Sequence, residues 1–124
     1  MLILSHKNLE VYEISLKIVK EVYKMTSDFP KSEQYVIVSQ IKRAAISVCS
    51  NIAEGASRKS KKEKKRFYEV ARSSLVEMDT QFELSIILNY CDKSHLKELE
   101  KFVESAFRIL SKMILNLGSD PTND

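Results

Sequence analysis

Glycine and proline are nearly missing from this sequence, with two of each in 124 residues: Gly55, Gly118, Pro30 and Pro121. A β-sandwich or an α/β unit needs turn residues roughly every ten to fifteen positions, so both are excluded and the chain reads as all-helical. Tryptophan is absent. Cysteine is limited to Cys49 and Cys91, with no CxxC spacing and no clustered histidine, which argues against a structural zinc site or a disulfide framework. Long apolar runs are lacking too. The opening MLILSHKN is too short for a secretory signal, and no stretch has the length a membrane span requires. These absences lead us to expect a cytoplasmic protein with no membrane association, cofactor or metal. The length suits one core, so residues 1–124 are expected to form a single domain.

The residues for catalysis are sparse as well. His6 and His95 are isolated, neither sits in HExxH, and neither has an arginine four to six residues upstream, as one class of helical ribonucleases requires. No glycine-rich loop exists to cradle a phosphate. Glu54, Glu77 and Asp79 are ordinary on helix faces and would work as acids or bases only if paired in a cleft. The expectation is a protein that is not an enzyme.

What is present is helical periodicity. Breakers and caps predict helices over about 8–27, 32–54, 60–89 and 94–117, with a frayed tail at 118–124. Pro30 ends the first helix, because the residue before proline is pushed out of the α region. Gly55 is read as the left-handed C-cap of the second. Ser60-Lys61-Lys62-Glu63 has the form of a capping box opening the third. Asp92 or Ser94 caps the fourth. Apolar residues alternate at steps of three and four in every segment. The second helix has Val38, Ile41, Ala45, Val48 and Ile52; the third has Tyr68, Ala71, Leu75, Met78 and Phe82; the fourth runs from Leu96 and Leu99 to Met113 and Leu117. Four such helices joined by short turns predict an antiparallel up-down four-helix bundle.

The first helix carries more apolar surface than one seam needs. Leu9, Tyr12, Leu16, Val19 and Tyr23 form one row and Val11, Ile14, Ile18, Val22 and Met25 a second, together an arc of roughly 200°. Either two neighbouring helices bury both rows, or a second copy covers Val11, Ile14, Ile18 and Val22; the second outcome predicts a homo-oligomer. The side of the second helix opposite its seam is polar but thinly charged: Gln40, Arg43, Ser47, Asn51 and Glu54. That row suits an oligomer interface or pore wall, although an ordinary wet face would also be polar. Ser73, Ser74 and Glu77 on the third helix stand at a height where Glu77 would reach Arg43.

Positive charge is concentrated. Arg58, Lys59, Lys61, Lys62, Lys64, Lys65 and Arg66 face only Glu63, a local +6 in a chain of formal charge +3, so the remainder carries −3. A solvated helix start would look similar, but such a cluster also has the electrostatic character of a phosphate-binding surface. Arg43 and Arg72 would extend it along the bundle.

A specific pattern runs through the chain: Leu9, Val11 and Tyr12; Thr26 with Phe29-Pro30 and Glu33; Gln40-Ile41-Lys42-Arg43-Ala44-Ala45 with Ser47; Asn51-Ile52-Ala53-Glu54-Gly55; then Ser74 and Glu77. In these residues the sequence resembles the four-helix-bundle proteins encoded in intervening sequences of bacterial 23S rRNA genes, a family that includes accessory proteins of diversity-generating retroelements. Tyr12 stands where that family often has tryptophan, Val36 and Ser57 where it has glycine, and Cys49 where it has proline, which implies a straighter second helix and a stiffer following turn. The resemblance implies a homopentamer, a ring of bundles around a channel, with basic residues available to RNA or DNA and no characteristic enzymatic activity. It also leaves a second role open, a structural adaptor for a protein partner such as a reverse transcriptase. Without a helix-turn-helix or a display of aromatics, binding to nucleic acid should be non-specific.

Overall fold

The computed structural model describes residues 1–118; the expected frayed tail, apart from Gly118, lies outside them. The described residues form four α-helices and no strand. These are α1 (Glu10–Thr26), α2 (Ile37–Ser57), α3 (Lys61–Ile87) and α4 (Lys97–Asn116), with 3₁₀ turns at Ser5–Asn8, Lys31–Glu33 and Lys93–Leu96. α1 and α3 each pack on both α2 and α4, which closes a four-helix bundle. Across the two seams of α3, contacts run in opposite chain directions. Gly55 meets Tyr68 while Ser47 meets Ser74, and Lys65 reaches Gly118 while Arg72 reaches Ser111.

Local chemistry explains both ends of α3. Ser60 caps α3, its Oγ accepting the Glu63 N–H at 3.0 Å as the capping-box reading expects. α3 stops at Asn89, which adopts φ 61°, a left-handed conformation that asparagine tolerates. There the Asn89 N–H donates to Ile86 O at 3.0 Å and the Tyr90 N–H to Ser85 O at 2.8 Å, the paired bonds of a Schellman stop. α2 begins at Ile37 rather than near Ser32. The 3₁₀ turn after Pro30 and the non-helical backbone of Val36 (φ −118°, ψ −101°) delay it. α4 likewise begins at Lys97, after a 3₁₀ turn, and neither Asp92 nor Ser94 caps it; its N-cap position is Leu96.

Gly55 is not a left-handed cap. α2 continues helically to Ser57, and Gly55 is needed because a Cβ there would lie 2.6 Å from Cε1 of Tyr68 and 3.1 Å from Cβ of Phe67. Its missing side chain lets a buried aromatic ring lie against the α2 backbone.

The seams of α2 and α3 are buried as their spacing predicts: Val38, Ile41, Ala45, Val48 and Ile52 are fully enclosed, as are Ala71 and Met78. α1 reverses the expectation. Val11, Ile18 and Val22, expected to face a second copy, are at most 1% exposed and belong to the protomer's own core, with Ile14 packed against it. Leu16 and Tyr23, from the other row, are 48% and 44% exposed. Leu9, Tyr12 and Val19 of that row still pack at the edge of the core, and the row that turns inward is the one without tyrosines. Ser15, Thr26 and Ser85 are buried polar residues whose hydroxyls donate to carbonyls of their own helices at 2.6–2.8 Å, avoiding the cost of an unsatisfied group.

Candidate nucleic-acid interface

The turn from α2 to α3 brings two helix ends together. The α2 carbonyls make its end electronegative, and the aligned amides at the start of α3 make that end electropositive. The basic cluster divides between them. Lys64 reaches back so that Nζ donates to the carbonyls of Ala56 and Gly55 at 3.1 and 3.4 Å, closing α2. Arg58 pairs with Glu54 at 3.0 Å and lays its guanidinium 4.9 Å from the Phe67 ring. Its Nε is buried without a hydrogen-bond partner. Lys65 donates to Gly118 O at 3.2 Å. These three cations are half-buried and engaged within the protomer.

Lys59, Lys61, Lys62 and Arg66 remain exposed at the same corner. Lys61 and Lys62 occupy the first turn of α3, where only Glu63 is acidic. Cations there oppose the helix dipole, each at about 0.3–1 kcal/mol, and an anion docking on the turn would convert that repulsion into attraction. The Arg66 guanidinium lies 5.7 Å from the Phe67 ring, which also carries Arg58. Phe67 therefore organises two guanidiniums, a role that the charge pattern alone did not reveal. Its place directly after Arg66 was the available signal.

Arg43 and Arg72 do not join the corner. Arg43 lies 15 positions before Arg58, about 22 Å along α2. It hydrogen-bonds Gln40. Arg72 turns toward α4, donating to Ser111 Oγ at 3.3 Å with its guanidinium 5.9 Å from the Phe107 ring. Among the described residues Arg43 forms no ion pair with Glu77, although the Ser47–Ser74 contact puts them at similar heights; both side chains turn to solvent.

The polar row on α2 is likewise partly consumed at home. Ser47 Oγ and Ser74 Oγ are 2.9 Å apart, and Asn51 Nδ2 donates to Ser47 O and Oγ at 2.8 and 3.0 Å. This network locks α2 onto α3. Gln40, Arg43 and Glu54 remain exposed. Beside the network, an open hollow of about 340 Å³ runs along α3 between Arg66 and Glu77.

The isolated histidine His6 is mostly buried, its ring edge-on to Tyr12 at 4.7 Å. Burial pushes the Cys49 thiol above its ordinary range despite a hydrogen bond with Ser15; burial, then the Asp92 charge, raises Cys91. Among the described residues, no three His, Cys, Asp or Glu side chains are grouped to hold a metal ion, and no helix is long and apolar enough to cross a membrane.

Comparison with known proteins gives a family match. The family model described as 23S rRNA-intervening sequence protein matches residues 7–112, from the 3₁₀ turn before α1 into the last turns of α4. Among curated proteins none matches. The match covers most of the chain, with three helices whole and most of α4, and the chain belongs to the 23S rRNA-intervening sequence protein family.

Proposed function

We propose that this protein is a non-catalytic, cytoplasmic, antiparallel bundle that self-associates into a ring, the family resemblance suggesting five copies, and binds RNA or DNA without sequence preference. The observation that carries this reading is the exposed set Lys59, Lys61, Lys62 and Arg66 at the electropositive start of α3. Cations gathered where the helix itself disfavours them suit a polyanion that neutralises both. Exposed Leu16 and Tyr23 on α1 support self-association, which would repeat the corner around the assembly and multiply weak phosphate contacts.

Fluorescence anisotropy with single-stranded RNA and duplex DNA at rising salt tests the binding. Four neutralised phosphates give a log–log slope near −3, from roughly −0.7 to −0.9 per phosphate. The variant K59E/K61E/K62E/R66E should lose at least about 100-fold in affinity while keeping its assembly state. A flat salt dependence, or undiminished binding by the variant, refutes the nucleic-acid role. In that event the adaptor role, with a reverse transcriptase as the candidate partner, becomes the better account.

A further inference from the structure

Two apolar features of the protomer are left unmatched, at opposite ends of the bundle. At one end, Met1 to Leu4 project as an arm, with relative exposures from 45% to 114%. Leu4 is extended (φ −124°, ψ 147°), and the following 3₁₀ turn packs on α1 and α2. At the other end, α3 and α4 enclose a groove of about 780 Å³, a size suited to a short apolar peptide. Its floor includes Phe82, Leu99 and Val103, with Val76 and Ile87 exposed along it, and Asp79, Glu83, Glu100 and Glu104 around it.

We infer that the apolar arm of one copy occupies the α3/α4 groove of the next. This deepens the self-association in the proposed function and rests on it. An arm cannot fill its own groove. The turn that anchors it lies on the α1/α2 side of the bundle, and the groove opens on the α3/α4 side. Crossing the bundle means passing one interaxial spacing of 8–10 Å plus both helix surfaces, roughly 20 Å, before any displacement along the axis. Four extended residues reach only about 14 Å. Charge favours the same pairing: Lys7 follows the arm, the first acidic residue of the chain is Glu10, and four carboxylates against Lys93 surround the groove. Because arm and groove are different surfaces, each copy gives one and receives one. That head-to-tail contact builds rings when the rotation closes.

Two variants of the full chain isolate the contact. L2D/I3D spoils the arm, and V76K/I87K places lysines at exposed points of the groove. Sedimentation equilibrium at concentrations where the unaltered protein assembles should show each variant alone at the 14.3 kDa protomer mass. Each should retain its helical circular dichroism. Mixed together, they can form one arm-to-groove contact and should give a one-to-one dimer and nothing larger. Undiminished assembly of L2D/I3D, or a mixture that stays monomeric, overturns the arm exchange while leaving self-association standing. An unaltered protein that is itself monomeric overturns both.

Discussion

The two seams of α3 differ in what they bring together. Against α2 the contacts are small: Gly55 under the Tyr68 ring, Ala45 and Ala71 in the buried seam, and Ser47 against Ser74 at 2.9 Å. Against α4 the facing residues are large. Phe82, Leu96, Leu99 and Phe107 border a groove of about 780 Å³ that leaves Val76 half exposed. One helix can therefore bind one neighbour closely and leave an open channel beside another, because small side chains admit a backbone that large ones hold away.

The largest expected effect uses that contrast within α3. Met78→Ala removes a fully buried side chain and should cost about 2–5 kcal/mol in urea unfolding, whereas Val76→Ala, 52% exposed on the groove, should stay within about 0.5 kcal/mol. Equal effects would mean that the groove side is as tightly packed as the core. Next comes Gly55→Ala. Alanine favours a helix by about 0.8–1 kcal/mol, but its methyl meets a ring that is only 5% exposed, so a net loss of about 1–3 kcal/mol is expected. A stabilised variant would show that Tyr68 swings aside. The smallest effect concerns the α1/α2 seam. Burial raises the Cys49 thiol in the folded chain, so its contribution to stability is complete below the unfolded thiol's ordinary pKa and is lost as pH rises through the folded one. Urea unfolding between pH 7 and 10 should therefore decline less steeply for Cys49→Ala; equal declines would show that this thiol is not held protonated by folding.

Much of the fold was legible in local pattern. The α2 and α3 seams were readable because steps of three and four admit only one buried stripe on each helix, and the Ser60 cap because its partner Glu63 is three residues away. The orientation of α1 was not readable from spacing, since the row of Leu16 and Tyr23 follows steps of three and four just as the more apolar row of Val11, Ile18 and Val22 does. Gly55 misled for a related reason: a glycine near a helix end suits a left-handed stop, and nothing local reveals a tyrosine ring arriving from the next helix. At the candidate interface, the charge run located the corner but did not separate Arg58, Lys64 and Lys65, which are bound within the protomer, from Lys59, Lys61, Lys62 and Arg66, which face solvent.

By itself the sequence determined four helices, the Ser60 cap of α3 and the place where positive charge collects, since each depends on residues within a turn or two of one another. Tertiary structure alone decided which apolar row of α1 is core, why Gly55 has no side chain, which cations face solvent, and that an arm and a groove end up on opposite sides of the bundle. Those outcomes depend on distances between residues far apart in the chain, which helical periodicity does not encode.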